Sequence, residues 1–120
     1  MSDLDRLADD LHQAATELPR KARDIVQANA LQLRNQWRDN ARATGRRHAV
    51  HYVKAITHEE IPDPNGITYG VGPDTSMKQG DMSFEYGSSN QPPHLDGTRA
   101  AILLEPRFVK DVEALAKDML

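Results

Sequence analysis

The chain contains no cysteine, which excludes disulfide bonds and thiolate chemistry and fits a reducing compartment. Aromatic residues make up only 5% of its 120 residues and hydrophobic residues 38%, so there is little material for a core. A domain of this size and polarity is marginally stable alone and gains from partners that bury more of its surface. This composition favours an assembly subunit over a free-standing enzyme.

Long apolar stretches are also missing. No run approaches the roughly 20 apolar residues that a membrane span needs. The first ten residues are acidic and lack the basic-then-apolar order of a signal peptide. We therefore expect the protein to be made and kept in the cytoplasm.

The net charge of -3 is unevenly distributed along the chain. Residues 1–18 carry a net charge of -4, residues 19–47 carry +6, and residues 48–120 carry -5. A basic block between acidic blocks can bind phosphate groups, or it can bind the acidic blocks of a neighbouring copy. The pattern leaves both partners open, along with a merely solvated helix face.

Apolar residues recur at helical spacing through the first third of the chain. The first set comprises Leu4, Leu7, Leu11, Ala14 or Ala15, and Leu18. Pro19 follows, and because proline lacks the amide proton of a helix interior, we expect the helix to end or kink there. A second helix should run to about Ala43, where Thr44-Gly45 is typical of a C-cap.

The periodicity then changes from 3.6 to 2. Apolar residues alternate with others in residues 67–71 and 82–86, and residues 48–57 fit a strand whose two faces are both partly apolar. Residues 62–66 form a strong turn signal. We predict an antiparallel sheet of three to four strands. Its core side and the C-terminal helix should contribute Tyr69, Phe84, Tyr86, Phe108, Val112 and Leu115.

The polar, proline-containing stretch after the last predicted strand cannot extend the sheet, and helical spacing returns near Thr98. The chain is thus predicted to be one α+β domain over residues 1–120, with a long broken N-terminal helix and a C-terminal helix packed on the sheet. Its parts are a helical region, an antiparallel sheet, a loop and a C-terminal helix, at residues 1–43, 44–87, 88–97 and 98–120.

Potential metal ligands cluster only around His48, His51, His58, Glu59 and Glu60. On a strand, His48 and His51 point to opposite faces because their separation is odd, so they cannot share one ion without distortion. We expect these residues to have structural or surface roles, with no metal or cofactor bound.

Nucleophilic catalysis needs a hydroxyl or thiol beside a base and an orienting group. None of the threonines and serines in the second half of the chain lies in a strand-to-helix elbow or beside a motif histidine. Gly70-Val71-Gly72-Pro73 is not followed by the helix start and Lys-Ser/Thr of a phosphate loop. The sequence therefore predicts no catalytic site and no enzyme.

Nucleic-acid binding has better support. One face of the predicted second helix carries Arg20, Arg23, Arg34, Arg38 and Arg42. Arg42, Arg46 and Arg47 at its end are candidates for facing DNA phosphates or an acidic neighbour. Neither a helix-turn-helix glycine turn nor aromatic residues among the basic ones accompany this face, so readout of a groove or of stacked bases is poorly supported.

Two motifs resemble those of a known family. Thr44-Gly45-Arg46-Arg47 leads into the first predicted strand, and Phe84-Glu85-Tyr86-Gly87-Ser88 leads into a loop ending in Pro92-Pro93. With a long charged helix before them and a helix after them, they resemble the small tail-component family of long-tailed bacteriophages (siphophages). Members are neck or tail-completion proteins that connect head to tail, and the resemblance covers nearly the whole chain.

The resemblance implies a structural virion protein, located in the neck and made in the host bacterial cytoplasm. It implies a homo-oligomeric ring, with six-fold symmetry favoured and twelve-fold as the alternative. The ring would contact portal-side adaptor or stopper proteins, the tail terminator or tail tube protein, and non-specifically the channel DNA. The alternative, from another class, is a small DNA-binding or regulatory protein that uses the basic helix.

Within this interpretation, Arg34, Trp37 and Arg38 are candidates for the subunit interface. Glu85, Gly87 and Ser88 form the candidate family-motif turn, with Gly87 expected in a backbone conformation that other residues disfavour.

Overall fold

A computed structural model describes the backbone of residues 3–89 and 92–118, and their side chains except those of residues 7–18. Helix α1 runs without interruption over Asp3–Gly45. At 1.5 Å per residue, its 43 residues reach about 64 Å, close to the longest dimension of the molecule, 71 × 27 × 19 Å. Helix α1 thus defines the long axis of the molecule, and the other elements pack on it.

Of the two outcomes predicted for Pro19, an end of the helix is wrong, because this residue lies inside α1. An interior proline costs about 3 kcal/mol, since it removes one hydrogen bond and crowds the carbonyl four residues earlier. Pro19 is exposed, so water can solvate the freed carbonyl. The helical pattern on both sides therefore continues through it.

Helix α1 ends at Gly45, two residues beyond the predicted end, and the cap is not the glycine. Gly45 keeps helical dihedral angles, and Arg46 takes the left-handed conformation with φ of 50°. A β-carbon on Gly45 would lie 2.3 Å from the Ala49 Cβ. The glycine therefore serves close packing rather than chain reversal.

The predicted first strand is wrong over most of its length. One turn of 3-10 helix, Arg46–Ala49, and helix α2, Val50–Ala55, take its place. Ala49, Tyr52 and Val53 are all buried, at the i, i+3 and i+4 positions of a helical face. Short apolar runs fit both periods, and here the helical period prevails.

A two-stranded antiparallel sheet follows, with β1 at Ile56–Ile61 and β2 at Thr68–Pro73. Ile56 pairs with Pro73 and Ile61 with Thr68. The predicted turn joins the strands, and the Asp63 carboxylate fastens it by accepting hydrogen bonds from the Asn65 amide and the Thr68 hydroxyl. This hairpin is the only sheet pairing of more than one residue in residues 3–89 and 92–118.

The predicted last strand is also wrong, so the sheet does not reach three or four strands. Ser83–Tyr86 forms a single helical turn, α3. The Asp81 carboxylate starts it by accepting from the Ser83 amide and hydroxyl. Phe84 and Glu85 are both buried although adjacent, and Tyr86 is 66% exposed, whereas a strand would bury alternate residues.

Helix α4, Asp96–Asp118, starts two residues before the predicted one and runs antiparallel to α1. Asn40 Nδ2 donates to the Asp96 carbonyl at 2.9 Å, and Asn29 Nδ2 donates to Asp111 Oδ2 at 2.9 Å. Arg107 also reaches α1 through Gln32. The predicted C-terminal helix is therefore present, but it lies along α1 more than on the sheet.

The core lies where the C-terminal half of α1 meets the hairpin and the short helices. Trp37 Nε1 donates to the Tyr52 hydroxyl at 3.0 Å, and the Tyr52 and Phe84 rings stack at 4.7 Å. The buried cluster comprises Trp37, Ala41, Ala49, Tyr52, Val53, Ile56, Phe84 and Ala100. Of the predicted core, only Phe84 belongs to it; Tyr69 and Leu115 are half-buried, and Tyr86, Phe108 and Val112 are exposed.

Gly97→Ala should destabilise the fold. A β-carbon there would lie 2.6 Å from two atoms of the Trp37 indole, which is buried and has no room to move. We expect a loss of about 1–3 kcal/mol, typical of overpacking, despite the better helix propensity of alanine. Gly66→Ala is the matched control, because nothing lies within 4 Å of its added carbon. Thermal unfolding followed by circular dichroism measures both, and equal melting temperatures would contradict the packing described.

Candidate functional site

Glu85, in one of the two family-like motifs, caps the N-terminus of α4. Its Oε2 accepts from the Gly97 amide at 2.8 Å, and its Oε1 accepts from the Thr98 amide at 2.9 Å and the Thr98 hydroxyl at 2.7 Å. Amides in the first turn of a helix have no partner within the helix, and a carboxylate there also interacts favourably with the helix dipole. Glu85 is 2% exposed, so these bonds are shielded from water.

Asp96, the first residue of α4, ties this helix to the end of α1. Thr44, in the other motif, donates its hydroxyl to the two Asp96 carboxylate oxygens at 2.8 and 3.0 Å. Arg99 Nη2 donates to Oδ1 at 2.8 Å, and Asp96 is fully buried. The two motifs are about 40 residues apart in the sequence, and the fold brings them together at one buried junction of two carboxylates.

Gly87 is where the chain leaves α3 and turns back toward this junction. Its φ of 85° and ψ of 171° lie in a region that favours glycine, which confirms the predicted special conformation. The return is secured by the His94 amide, which donates to the Phe84 carbonyl at 2.9 Å, and the Leu95 amide, which donates to the Glu85 carbonyl at 3.1 Å. Ser88 lies exposed just after the turn. The motif thus aims Glu85 at the start of α4.

Thr44, His94 and Asp96 are the residue types of a catalytic triad, but their arrangement differs from one. In a triad the imidazole lies between hydroxyl and carboxylate and uses both nitrogens. Here Thr44 donates directly to Asp96, and the same His94 atom, Nδ1, lies 3.3 Å from the Thr44 hydroxyl and 3.8 Å from Asp96 Oδ2. This geometry suits holding two helices together rather than activating a nucleophile.

The sequence alone pointed to Glu85 but missed Asp96, Thr98 and Arg99. The available signal was Asp96-Gly97-Thr98 directly before an apolar helical pattern, since aspartate and threonine are common at helix N-termini. The pairing of Thr44 with Asp96 has no sequence signal, because only the antiparallel packing of α4 on α1 brings the two residues together.

Glu85→Gln should destabilise the protein although it conserves shape. The amide NH2 group would face two backbone donors and a hydroxyl, so at least one buried donor would lose its acceptor, at about 1–3 kcal/mol. Glu59→Gln, an exposed substitution on β1, is the matched control and should change little. Denaturant unfolding gives both values, and a Glu85→Gln variant as stable as the control would refute the capping role.

Arg34, Arg38 and Arg42 form an arginine stripe on α1, beside β1. Arg34 Nη1 lies 3.2 Å from His58 Nδ1, and Arg38 Nε donates to the Ile56 carbonyl at 2.8 Å. Arg42 forms an ion pair of 2.8 Å with Asp39. Burial, together with the charges of its two arginine neighbours, lowers the pKa of Arg38. The stripe is electropositive, yet each guanidinium already has a partner within the subunit.

The other candidate residues, Arg46, Arg47 and Trp37, lie in different environments. Arg46 and Arg47 are exposed beyond the end of α1. Trp37 is only 7% exposed, with its indole in contact with Gly72 and Gly97. The prediction that Trp37 offers an apolar contact to a neighbouring subunit does not fit this burial. Its helical spacing in the sequence is that of a core residue, and it serves the core.

His58, which contacts the arginine stripe, makes the stability of the fold depend on pH. Burial lowers the pKa of its imidazole, and the charges of Arg34 and Arg38 lower it further. Between this lowered pKa and the ordinary value of about 6.5, the unfolded chain binds more protons than the folded one. The contribution of His58 to stability is therefore complete at neutral pH and is lost as the pH falls through that window.

His58→Gln should reduce the loss of stability on acidification. We expect the melting temperature to fall less in this variant than in the wild type between about pH 7.5 and about pH 5.5, where histidines titrate. His51→Gln, at an exposed position on α2, is the control and should follow the wild type. Parallel curves for the wild type and His58→Gln would contradict the environment assigned to His58.

Helix α4 carries an exposed apolar face. A groove of about 330 Å³ separates α1, β2 and α4, and its lining includes Val26, Leu33, Tyr69, Val71, Leu104 and Phe108. Beside it, Ile102, Val109 and Val112 are 68, 44 and 42% exposed. Contiguous exposed apolar faces are a type of surface at which proteins contact their partners.

Among the described side chains, those of residues 3–6, 19–89 and 92–118, no group of three or more histidine or acidic residues is placed to hold a metal ion. His48 and His51 lie exposed on the 3-10 turn and on α2, apart from His58 on β1. No helix in this part of the chain is both long and apolar enough to cross a membrane.

Comparison with known proteins adds no family assignment: no family model, curated protein or solved structure matches the chain.

Proposed function

We propose that the protein is a structural subunit of the head-to-tail neck of a long-tailed bacteriophage. In this role it is a connector or tail-completion protein that forms a ring between portal-side adaptor or stopper proteins and the tail terminator or tail tube. Six-fold symmetry is favoured, with twelve-fold as the alternative. The protein acts without catalysis and is assembled into the virion after synthesis in the host cytoplasm.

The observation that carries this proposal is the exposed apolar face of α4. Ile102, Val109 and Val112 stay 42–68% exposed while the buried core consists of few side chains. A subunit that leaves this much of its scarce apolar surface in water gains stability when a partner covers it. This face, in place of Trp37, supplies the apolar contact between subunits that was predicted from the sequence.

The family-like motifs support the proposal through their position. Thr44 and Glu85, one from each motif, both fix the start of α4. They therefore determine where the apolar face lies relative to α1. Residues that set the geometry of an assembly surface are what a ring-forming family would share.

The arginine stripe adds a second, polar surface. A ring interface is heterologous, so each subunit needs two different complementary faces. The acidic blocks at residues 1–18 and 48–120 offer the charge that complements the stripe. Such charge pairs mainly set register and partner choice, since each exposed pair contributes only about 0–1 kcal/mol. Arg46 and Arg47 are free to face channel DNA or an acidic neighbour.

A small DNA-binding or regulatory protein remains the second candidate, because of the same basic surface. The internal partners of Arg34, Arg38 and Arg42 weaken it, since a phosphate would have to compete with them. Negative-stain microscopy of the purified protein, alone and with its neck neighbours, separates the two functions. Rings support the neck subunit, whereas a monomer or dimer that binds duplex DNA with steep salt dependence would favour the alternative.

Arg34→Glu should weaken assembly without unfolding the subunit. Its guanidinium contacts His58 and Asn35, and a carboxylate beside His58 is tolerated, whereas Arg38 donates to backbone and is left intact. We expect the assembly defect to deepen at low salt, because repulsion from acidic partner surface is then less screened. Lys54→Glu makes the same charge change at an exposed position on α2 and is the control. Mass photometry across a salt series measures both, and indistinguishable curves would exclude the stripe from the interface.

A further inference from the structure

Two apolar seams in this chain have the same spacing. In the sequence of α1, the first seam is Leu4, Leu7, Leu11, Ala14 and Leu18, with steps of 3, 4, 3 and 4 residues. On α4, the second seam has the same steps through Ile102, Glu105, Val109, Val112 and Ala116, and Glu105 is its one charged member. Alternating steps of 3 and 4 are the pattern by which two helices pack side by side.

Among the described side chains, those of residues 3–6, 19–89 and 92–118, none from another helix covers the seam on α4. Its described apolar members Ile102, Val109 and Val112 are 42–68% exposed. Helix α4 packs on α1 through a different side, which carries Ala100, Leu104 and Asp111. The seam on α4 is therefore a second face of this helix and remains available after the subunit has folded.

The seam on α1 lies beyond the reach of its own α4. Asp111 contacts Asn29, and seven described residues of α4 follow Asp111. In an antiparallel pair with equal rise, these seven residues bring Asp118 to about residue 22 of α1. The helix nevertheless continues to Asp3, and Leu4 is 75% exposed.

The length of this N-terminal segment fits a neighbouring subunit. Residues 3–18 rise about 24 Å as helix, which matches the roughly 21 Å from Ile102 to Ala116. Isolated helices of this length are marginal in water and depend on packing for stability. A continuous helix cannot fold back on itself, so a second chain must supply the packing.

Charged residues lie beside both seams. Asp3, Asp10 and Glu17 are seven residues apart in the sequence and flank the leucine seam. On α4, Lys110 and Lys117 follow Val109 and Ala116, whereas Glu105 lies within the seam and Glu113 follows Val112, so both signs of charge are present there. Charges at such flanking positions select the partner and its register more than they add affinity.

We propose that the N-terminal segment of α1 from one copy packs on the α4 seam of the next copy. The contact is heterologous, because segment and seam are different surfaces, and it therefore propagates around a ring. The contact between copies does not depend on the proposed function. Only the closure of the assembly into a ring rests on it. It assigns the affinity of the assembly to the two seams and leaves the arginine stripe to orient the partners.

Two variants of the full-length chain test the contact. Leu4→Glu with Leu11→Glu alters the segment, and Val109→Glu with Val112→Glu alters the α4 seam. Each should weaken self-association at least about 10-fold, the effect of losing one strong interface contact. Ala114→Glu is the control, because Ala114 is exposed on α4 and lies on the opposite side of the helix from Val109 and Val112. All variants should melt near the wild-type temperature, since the altered positions are exposed or lie outside the packed body.

Mixing the two defective variants gives the decisive readout in mass photometry. Each retains one intact surface, so the mixture should form one-to-one dimers and nothing larger. If the wild type also forms closed rings, the result supports both the contact and the neck ring. If it forms open chains, the result supports the contact but contradicts the neck ring. A monomeric wild type, a mixture without dimers, or a segment variant that assembles normally would overturn the contact.

Discussion

Two buried carboxylates fix the start of α4 against the end of α1, and the remaining architecture depends on this junction. Glu85 satisfies the first amides of α4, and Asp96 binds Thr44 across the helix interface. Buried carboxylates are costly unless hydrogen-bonded, and in both residues the carboxylate has such partners. With its first turn held in this way, α4 must run antiparallel along α1, which exposes the apolar side of α4 next to the groove.

The same constraint leaves the N-terminal part of α1 beyond the packed body. Helix α4 ends near residue 22 of α1, the hairpin lies against the C-terminal half, and the chain is 71 Å long but only 27 by 19 Å across. A chain with 38% hydrophobic residues cannot cover such a helix by itself. The elongated shape and the exposed face of α4 both reflect this shortage of apolar residues, and the proposed packing of a second copy would cover both surfaces.

The sequence predicted the long helices, the hairpin turn, the special backbone at Gly87 and the α+β class. It could not predict that residues 50–55 are helical, because Tyr52 and Val53 fit both periodicities and tertiary burial decided between them. The prediction of a strand at residues 82–86 was wrong, because the hydrogen bonds from Ser83 to Asp81 favour a helical turn over the strand that three alternating apolar residues indicated. Trp37 was predicted to be an interface residue, but its indole is buried in the core against Gly72 and Gly97. Asp96 could be recognised only once the fold had placed Thr44 beside it.

Amide hydrogen exchange of residues 3–18 tests the central claim most directly, namely that assembly rather than the subunit itself buries this segment. In wild-type protein at assembling concentration, the amides of residues 3–18 should exchange slowly, and dilution to the monomer should release them. In the Val109→Glu, Val112→Glu variant they should exchange quickly at every concentration, while α1 beside Trp37 stays protected. Equal protection of the segment in monomer, assembly and variant would contradict the account.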